Sequence, residues 1–504
     1  MIRQVQRVGI VGGGSAGWMA AALLAQMLPD GPEIHLIESD EIGTVGVGEA
    51  TIPPIKLFNQ MLGIDEAEFV AATQGSFKLG IEFVGWGQAG HRYFHPFGTF
   101  GAEFDSVALH HWWLKERAAG LDLGLDDLSM AWVAARDCRF APPAPDRRMV
   151  QSTFDYAYHF DAGLYARLLR GRAEAAGVTR HEGRITSVAR DAESGNVTAV
   201  SLADGSAVAA DFWIDCSGFR SLLLGETLGV PFMDWSHWLP VDRALAVPCG
   251  HANGTDGAGF TPYTRSTAHA AGWQWRIPLQ HRIGNGHVFV SAHMGEDEAA
   301  AILLANLDGP ALADPRLLKF TTGRRAQSWS HNVVAIGLAA GFMEPLESTS
   351  LHLVQSGLLR LLALWPDATM PALVRDEFNQ ASRVEWERIR DFLILHYHLN
   401  TRDEPLWRQV AAMPIPDTLA HKIAHFRHAA RLVSDGPELF LNASWLAVHI
   451  GQGHIPLAFD PLCHARPVPA RDRLLGLNRV MREAATQMPR HADFIARHCR
   501  APAA

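Results

Sequence analysis

The chain opens on an apolar run, Val5-Gln6-Arg7-Val8-Gly9-Ile10-Val11, closed by a glycine cluster. Such a run reads as a buried strand. Trp18 to Met27, rich in Ala, Leu and Met, reads as a helix, and Glu33 to Ile37 as a second strand. Strand, helix and strand in that order begin a parallel sheet covered by helices. The pattern predicts further strands over 185–190, 197–202 and 211–215, and a second sheet drawing on 243–248 and 286–293. A helix is expected over 161–176, with Asp161 as its N-cap and Gly177 just past its end. Another is expected over 351–366, stopped by Pro366. Residues 41–53 read as a glycine-rich loop. Residues 90–145, dense in His, Trp and Pro, read as an irregular insertion. From about residue 375 the pattern is mostly helical, with Pro-containing turns at 414–416 and 466–469. The expected division is therefore an α/β module over 1–375, carrying the insertion at about 90–145, and a mostly helical part over 376–504.

Composition narrows the class. A chain of 504 residues with 48% hydrophobic and 19% charged residues suits a globular enzyme. A formal net charge of -9 argues against a nucleic-acid partner, since phosphate binding needs a basic face. No stretch of 18 apolar residues occurs, so no membrane span is expected. The start, MIRQVQRVGIVGGG, does not read as a signal peptide. Five cysteines with no C-x-x-C spacing argue against a disulfide framework or zinc site and for a reducing, cytoplasmic location. Adjacent His110 and His111 cannot share a helix face, so no metal is expected there.

Gly12-Gly13-Gly14-Ser15-Ala16-Gly17 fits G-x-G-x-x-G between the first strand and the first helix. Gly12 permits the tight turn, Gly14 lets backbone approach a pyrophosphate, and Gly17 lets helix pack on strand. The helix N-terminus then faces the phosphates. Glu38, with Ser39 after it, closes the second strand, where an acid accepts hydrogen bonds from an adenosine ribose. NAD and FAD share this fingerprint.

Further segments decide more. They are Gly46 to Pro53, Phe77-Lys78-Leu79-Gly80-Ile81, Asp215 to Ser221, Trp273-Gln274-Trp275-Arg276-Ile277-Pro278, Ile336 to Gly341, and Glu344-Pro345-Leu346-Glu347-Ser348-Thr349. In this order, over most of the chain, they resemble the flavin-dependent halogenases of the tryptophan halogenase family. The resemblance implies a flavoprotein monooxygenase-like α/β fold with mixed sheets and a helical C-terminal part. It implies FAD, used as FADH2 with O2 and a halide, and a separate NAD(P)H-dependent flavin reductase. A monomer or homodimer is expected. The implied FAD contacts are Gly12, Gly14, Ser15, Ala16, Gly17, Glu38, Ser39, Gly48, Glu49, Ala50, Thr51, Ile185 and Leu338.

In such enzymes halide attacks a flavin C4a-peroxide, and the hypohalous acid formed travels to a lysine that positions it or becomes a haloamine. Lys78 matches that lysine; its apolar flanks Phe77, Leu79 and Ile81 favour burial of its stem. Glu347 matches the carboxylate that polarises the halogenating species or takes the ring proton; its plainer role would be to cap the helix expected from 351. The amides of Thr349 and Ser350 match the halide site, with Ser350 replacing the usual glycine, so bromide stands beside chloride. Trp273, Trp275, Ile277 and Pro278 match the W-x-W-x-I-P wall between flavin and substrate, the two Trp on one face. Family members acting on free tryptophan hold its charged ends with a Tyr-Tyr pair; the matching stretch here ends in Ser444-Trp445. An aromatic slab from His95, Pro96, Phe97, Trp112 and Trp445 would suit a neutral ring such as indole. The competing readings are an aromatic hydroxylase on the same fold, which has no need of Lys78 with Glu347, and a non-catalytic flavin-binding protein.

Overall fold

The computed structural model describes residues 4–42, 48–252, 254 and 259–502. Gly46 and Val47 of the expected flavin loop lie outside these residues. A six-stranded sheet runs in the order Trp329–Ser330, Val333–Ala335, Phe212–Asp215, Arg7–Val11, Glu33–Glu38, Thr179–Glu182. All neighbours are parallel except the first pair. Its strands are apolar on both faces, as a covered parallel sheet requires. Val8 and Ile10 join one core with Ala20 and Leu24, while Val11 and Ile37 join another with Trp213 and Ala335. Val11, Asp215 and Ala335 lie side by side in register. Three turns, after Val11, after Asp215 and after Ala335, therefore leave the same carboxyl edge, where open α/β sheets bind ligands.

A seven-stranded sheet has the order Arg316–Lys319, Arg243–Cys249, Ile283–Phe289, Gly272–Pro278, Thr264–His269, Gly80–Val84, Arg92–Pro96. The Trp-x-Trp segment is thus a central strand. The strand expected over 286–293 instead spans Ile283–Phe289. Gly284 and Gly286 hide its apolar pattern, and Gly286 is needed small: a Cβ there would lie 2.1 Å from the Trp275 ring opposite. A three-stranded sheet of Gly48–Ala50, Ala157–Asp161 and Ser76–Lys78 adjoins it. The chain passes from the small sheet to the large one at Lys78, since Lys78 pairs with Ala157 and Gly80 with Pro96.

The first helix spans Ser15–Met27, starting three residues before the expected Trp18, because Gly14 already takes the extended cap conformation. Asp161 caps the helix Ala162–Ala175, accepting from Leu164 N–H at 3.0 Å, and Gly177 follows at φ +96°. The helix expected over 351–366 spans Ser350–Ala363. The stretch 90–145 is more regular than expected: it holds the strand Arg92–Pro96 and the helices Leu109–Ala118 and Met130–Ala135. The helix Leu109–Ala118 buries His110, His111, Trp112 and Trp113 in succession, so no amphipathic period marks it. The C-terminal part is helical from Ala372, and the long helix Ala372–His398 buries nearly everything from Ile389 to Tyr397. Among the described residues no helix is long and apolar enough to cross a membrane.

Candidate active site

The nucleotide cradle forms where strand Arg7–Val11 meets helix Ser15–Met27. Gly12 adopts φ +112°, and a Cβ there would lie 2.3 Å from Cys216 O. A Cβ on Gly14 would meet nothing within 4 Å, so the helix N-terminus faces open space. Gly337 of the turn Gly337–Ala339, which carries Leu338, lies against Ala16. These features fit a dinucleotide pyrophosphate. Glu38, expected at a ribose, has one oxygen paired with Arg180 Nε at 2.6 Å. Ser39 is half-buried behind it, and Ile185 begins the strand Ile185–Arg190. Gly48 lies against Ile277 and Gly284, which sets the strand Gly48–Ala50 beside the Trp-x-Trp strand.

Lys78 and Glu347 are both fully buried. The Lys78 ammonium donates to Thr51 O at 2.9 Å and Ser348 Oγ at 2.8 Å, and lies 5.1 Å from the Phe97 ring centroid. These contacts use two of its three donors, and the third has no hydrogen-bond partner among the described residues. Burial pushes it down to about 7, against the pull of the Glu347 carboxylate. Glu347 ends the short 3-10 turn Pro345–Glu347, and Ser348 after it sits in the left-handed region at φ +59°. That kink turns the Ser348 hydroxyl to Lys78 and keeps Glu347 out of the capping role that is its plainer alternative. His95 Nδ1–H donates to Glu347 instead, 3.0 and 2.9 Å from its two oxygens. His396 Nε2 lies 2.9 Å from Glu347 Oε1. That contact is close enough for an ion pair but poorly directed as a hydrogen bond, for Nε2 has no well-aligned partner among the described residues. The other His396 nitrogen, Nδ1, is 2.9 Å from Phe392 O and donates to it. Burial alone would raise Glu347; the His95 and His396 rings outweigh it and hold the carboxyl at about 2.

One prediction follows from Lys78. Its proton is disfavoured in the folded protein, so between about pH 7 and 10.5 the unfolded chain holds a proton that the folded one has shed. Folded stability then rises with pH across that window. Lys78→Met lacks this contribution. The thermal midpoint of the wild type, measured against Lys78→Met over a pH series, should gain through that window and stay level below it. A difference that does not change with pH would contradict the shifted lysine.

Thr349 is the N-cap of helix Ser350–Ala363, and its amide and that of Ser350 stand where a helix leaves N–H groups without intrahelical partners. Its side-chain oxygen is buried and unpartnered among the described residues. Unspent donors at a helix start fit a small anion. In the Trp-x-Trp strand, Trp273 and Trp275 lie on one face with ring centroids 6.1 Å apart. Trp273 Nε1–H donates to Glu344 Oε2 at 2.6 Å.

Of the expected aromatic slab, His95 and Phe97 come together, at 6.5 Å between rings, and Pro96 ends their strand. Phe392 and Phe440 stack at 4.0 Å and both face His95. Trp445 is one step further out, edge-on to Phe392 at 5.1 Å, its indole N–H donating to Phe440 O. Trp112 does not join them. It stacks on Phe104 in a separate core with Val107 and Cys463, because the helix Leu109–Ala118 turns it away. His110 and His111 bond to Ala430 O and Asp460 N. Among the described residues no three His, Cys, Asp or Glu side chains gather as a metal site. The sequence reading missed His396, Phe392 and Phe440. A polar His within the apolar run Phe392-Leu393-Ile394-Leu395-His396 was the available signal.

Known proteins share this sequence pattern and this fold. The family model for tryptophan halogenases matches residues 7–468. KtzQ, a tryptophan 7-halogenase of Kutzneria sp. (strain 744), is 34% identical over 504 aligned residues, covering 92% of each chain. BrvH, a flavin-dependent halogenase from Brevundimonas sp. BAL3, has the same fold at a TM-score of 0.94 and 44% identity, over 98% of this chain and 99% of its own. Xcc4156, a flavin-dependent halogenase from Xanthomonas campestris, gives 0.95 and 46%, with both chains covered in full at 100%. The chain belongs to the tryptophan halogenase family. It is a flavin-dependent halogenase, an oxidoreductase.

Proposed function

We propose that this enzyme halogenates an uncharged, electron-rich ring such as indole, with Lys78 presenting the oxidised halogen and Glu347 stabilising the ring cation. The observation that carries this reading is a buried ammonium and a buried carboxylate, joined through Ser348 and facing His95 and Phe97. Reduced FAD, with O2 and halide, supplies the oxidised halogen when bound. The free N–H of Lys78 can hold hypohalous acid. The neutral amine, accessible because burial brings Lys78 to about 7, can take the halogen itself. Glu347, held ionised, places a negative charge where the ring turns cationic. That cation is acidic enough to give its proton even to a carboxylate held this low. Trp273, Trp275, Ile277 and Pro278 wall the flavin from the ring, and Thr349 and Ser350 take the halide. The reductase partner draws its electrons from NAD(P)H. Cys216, Cys249, Cys463 and Cys499 are free thiols, which supports a reducing, cytoplasmic setting.

KtzQ and related family members are named for tryptophan. Here Trp445 replaces a member of the Tyr-Tyr pair, and the nearby charges pair with each other: Lys422 bonds Glu438 at 2.6 Å and lies 4.5 Å from the Trp445 ring. The charged ends of free tryptophan would enter unpaired, at a desolvation cost of several kcal/mol, roughly. Indole carries no such cost. Ser350 alters the room beside the halide amides without changing their charge; bromide, more weakly hydrated and more easily oxidised than chloride, is placed ahead of it. In competition with equal bromide and chloride, on indole and tryptophan in turn, brominated indole should dominate. Tryptophan outcompeting indole would sink the pocket argument; chlorinated product dominating would sink the halide one.

A further inference from the structure

Two carboxyl groups, Glu344 and Glu347, flank one 3-10 turn, and their surroundings are opposite. Glu347 has ring nitrogens against both oxygens. Glu344, equally buried, receives two donors on one oxygen only: Trp273 Nε1–H at 2.6 Å and Tyr397 O–H at 2.7 Å, both on Oε2. Oε1 is buried and has no partner among the described residues. An ionised Glu344 would leave that oxygen charged and unpaired in an apolar core of Trp273, Tyr397 and Leu346, an arrangement proteins avoid. A neutral acid fits the pattern as it stands. Its carbonyl oxygen, with two lone pairs, accepts both donors, and the hydroxyl lies on the other oxygen.

We propose that Glu344 acts as a neutral carboxylic acid and as a positioning residue, locking the Trp273 indole and Tyr397 so that the wall between flavin and substrate keeps its place. This rests on the halogenase reading above for the role of the wall. Burial pushes Glu344 up to about 7, and the polar groups that face it among the described residues, Tyr397 and Trp273, act as hydrogen-bond donors. Its partner Tyr397 neighbours His396, the partner of Glu347, on one buried helix. The two sites are therefore built from the same two elements: one carboxyl is kept charged for the reaction, and the other is kept neutral to hold the wall. Paired carboxyls with diverging environments often divide their roles in this way.

The test compares Glu344→Gln, Glu344→Ala and Trp273→Phe. The Gln amide oxygen accepts the same two donors, so Glu344→Gln should keep halogenated product per reduced flavin consumed within about twofold of the wild type. Glu344→Ala should lose at least about tenfold in that ratio, and Trp273→Phe should lose in the same direction. The infrared spectrum of the flavin-free protein should contain a protonated-carboxyl stretch at neutral pH that vanishes in Glu344→Gln. That signal does not depend on any activity, so it judges Glu344 even if the halogenase reading fails or Glu344→Ala does not fold. Absence of a vanishing band, or a Glu344→Gln variant as damaged as Glu344→Ala, would overturn the neutral acid. Full coupling in Trp273→Phe would overturn its positioning role.

Discussion

Lys78→Ala yields no halogenated product and binds FAD as the wild type does. Lys78 touches none of the glycines of the nucleotide cradle, and it reaches the expected FAD contact Thr51 through that residue's backbone carbonyl; its other contacts are Ser348 Oγ and the face of Phe97. What it removes is the ammonium proposed to place the oxidised halogen. A single preorganised donor in a dry site is worth about a hundred- to a thousandfold in rate. A haloamine route would lose everything. Product yield by mass spectrometry, beside FAD affinity by fluorescence quenching, separates chemistry from binding. Near-normal yield would remove Lys78 from the mechanism, and lost FAD affinity would show that the substitution had spread to the cradle.

Glu347→Gln is the second large effect, with turnover falling at least about tenfold, a floor set below the roughly hundredfold or more that a positioned acid–base group contributes. The substitution keeps shape and removes charge. It also replaces one carboxylate oxygen by an amide donor, so the negative charge that faces the His95 and His396 rings is gone. Breaking a buried charged pair by removing one partner costs about 3–5 kcal/mol. The thermal midpoint should therefore fall together with turnover. Turnover within about a factor of two of the wild type would mean that the charge is not used. A midpoint that holds while turnover falls would place the loss in the chemistry alone.

Some of this was legible residue by residue. Gly12 to Gly17 and the Asp161–Gly177 helix are local devices: a turn that needs glycine, and a cap that needs an acid at one end and a glycine beyond the other. Burial of Lys78 followed from its apolar flanks. The errors have one cause, which is that local patterns fade where an element is buried on every side. The helix Leu109–Ala118 and the strand Ile283–Phe289 lack the periodicity of half-exposed elements, so the pattern makes the first look irregular and sets the second too far along the chain. Trp112 was drawn into the slab because Trp suits aromatic substrates, yet a tryptophan's usual place is a core. His396 lies 49 positions after Glu347, on a helix whose docking is a tertiary event, and no spacing rule connects them.

The central claim is that this buried Lys78–Glu347 site puts an electrophilic halogen on a neutral ring. The most direct measurement supplies the enzyme with FAD, a flavin reductase, NADH, O2, bromide and indole, and reads the product by mass spectrometry. The account predicts a product with the paired isotope peaks of one bromine, absent when Lys78→Ala replaces the wild type. A product that has gained oxygen and no bromine, or bromination that survives Lys78→Ala, would contradict it.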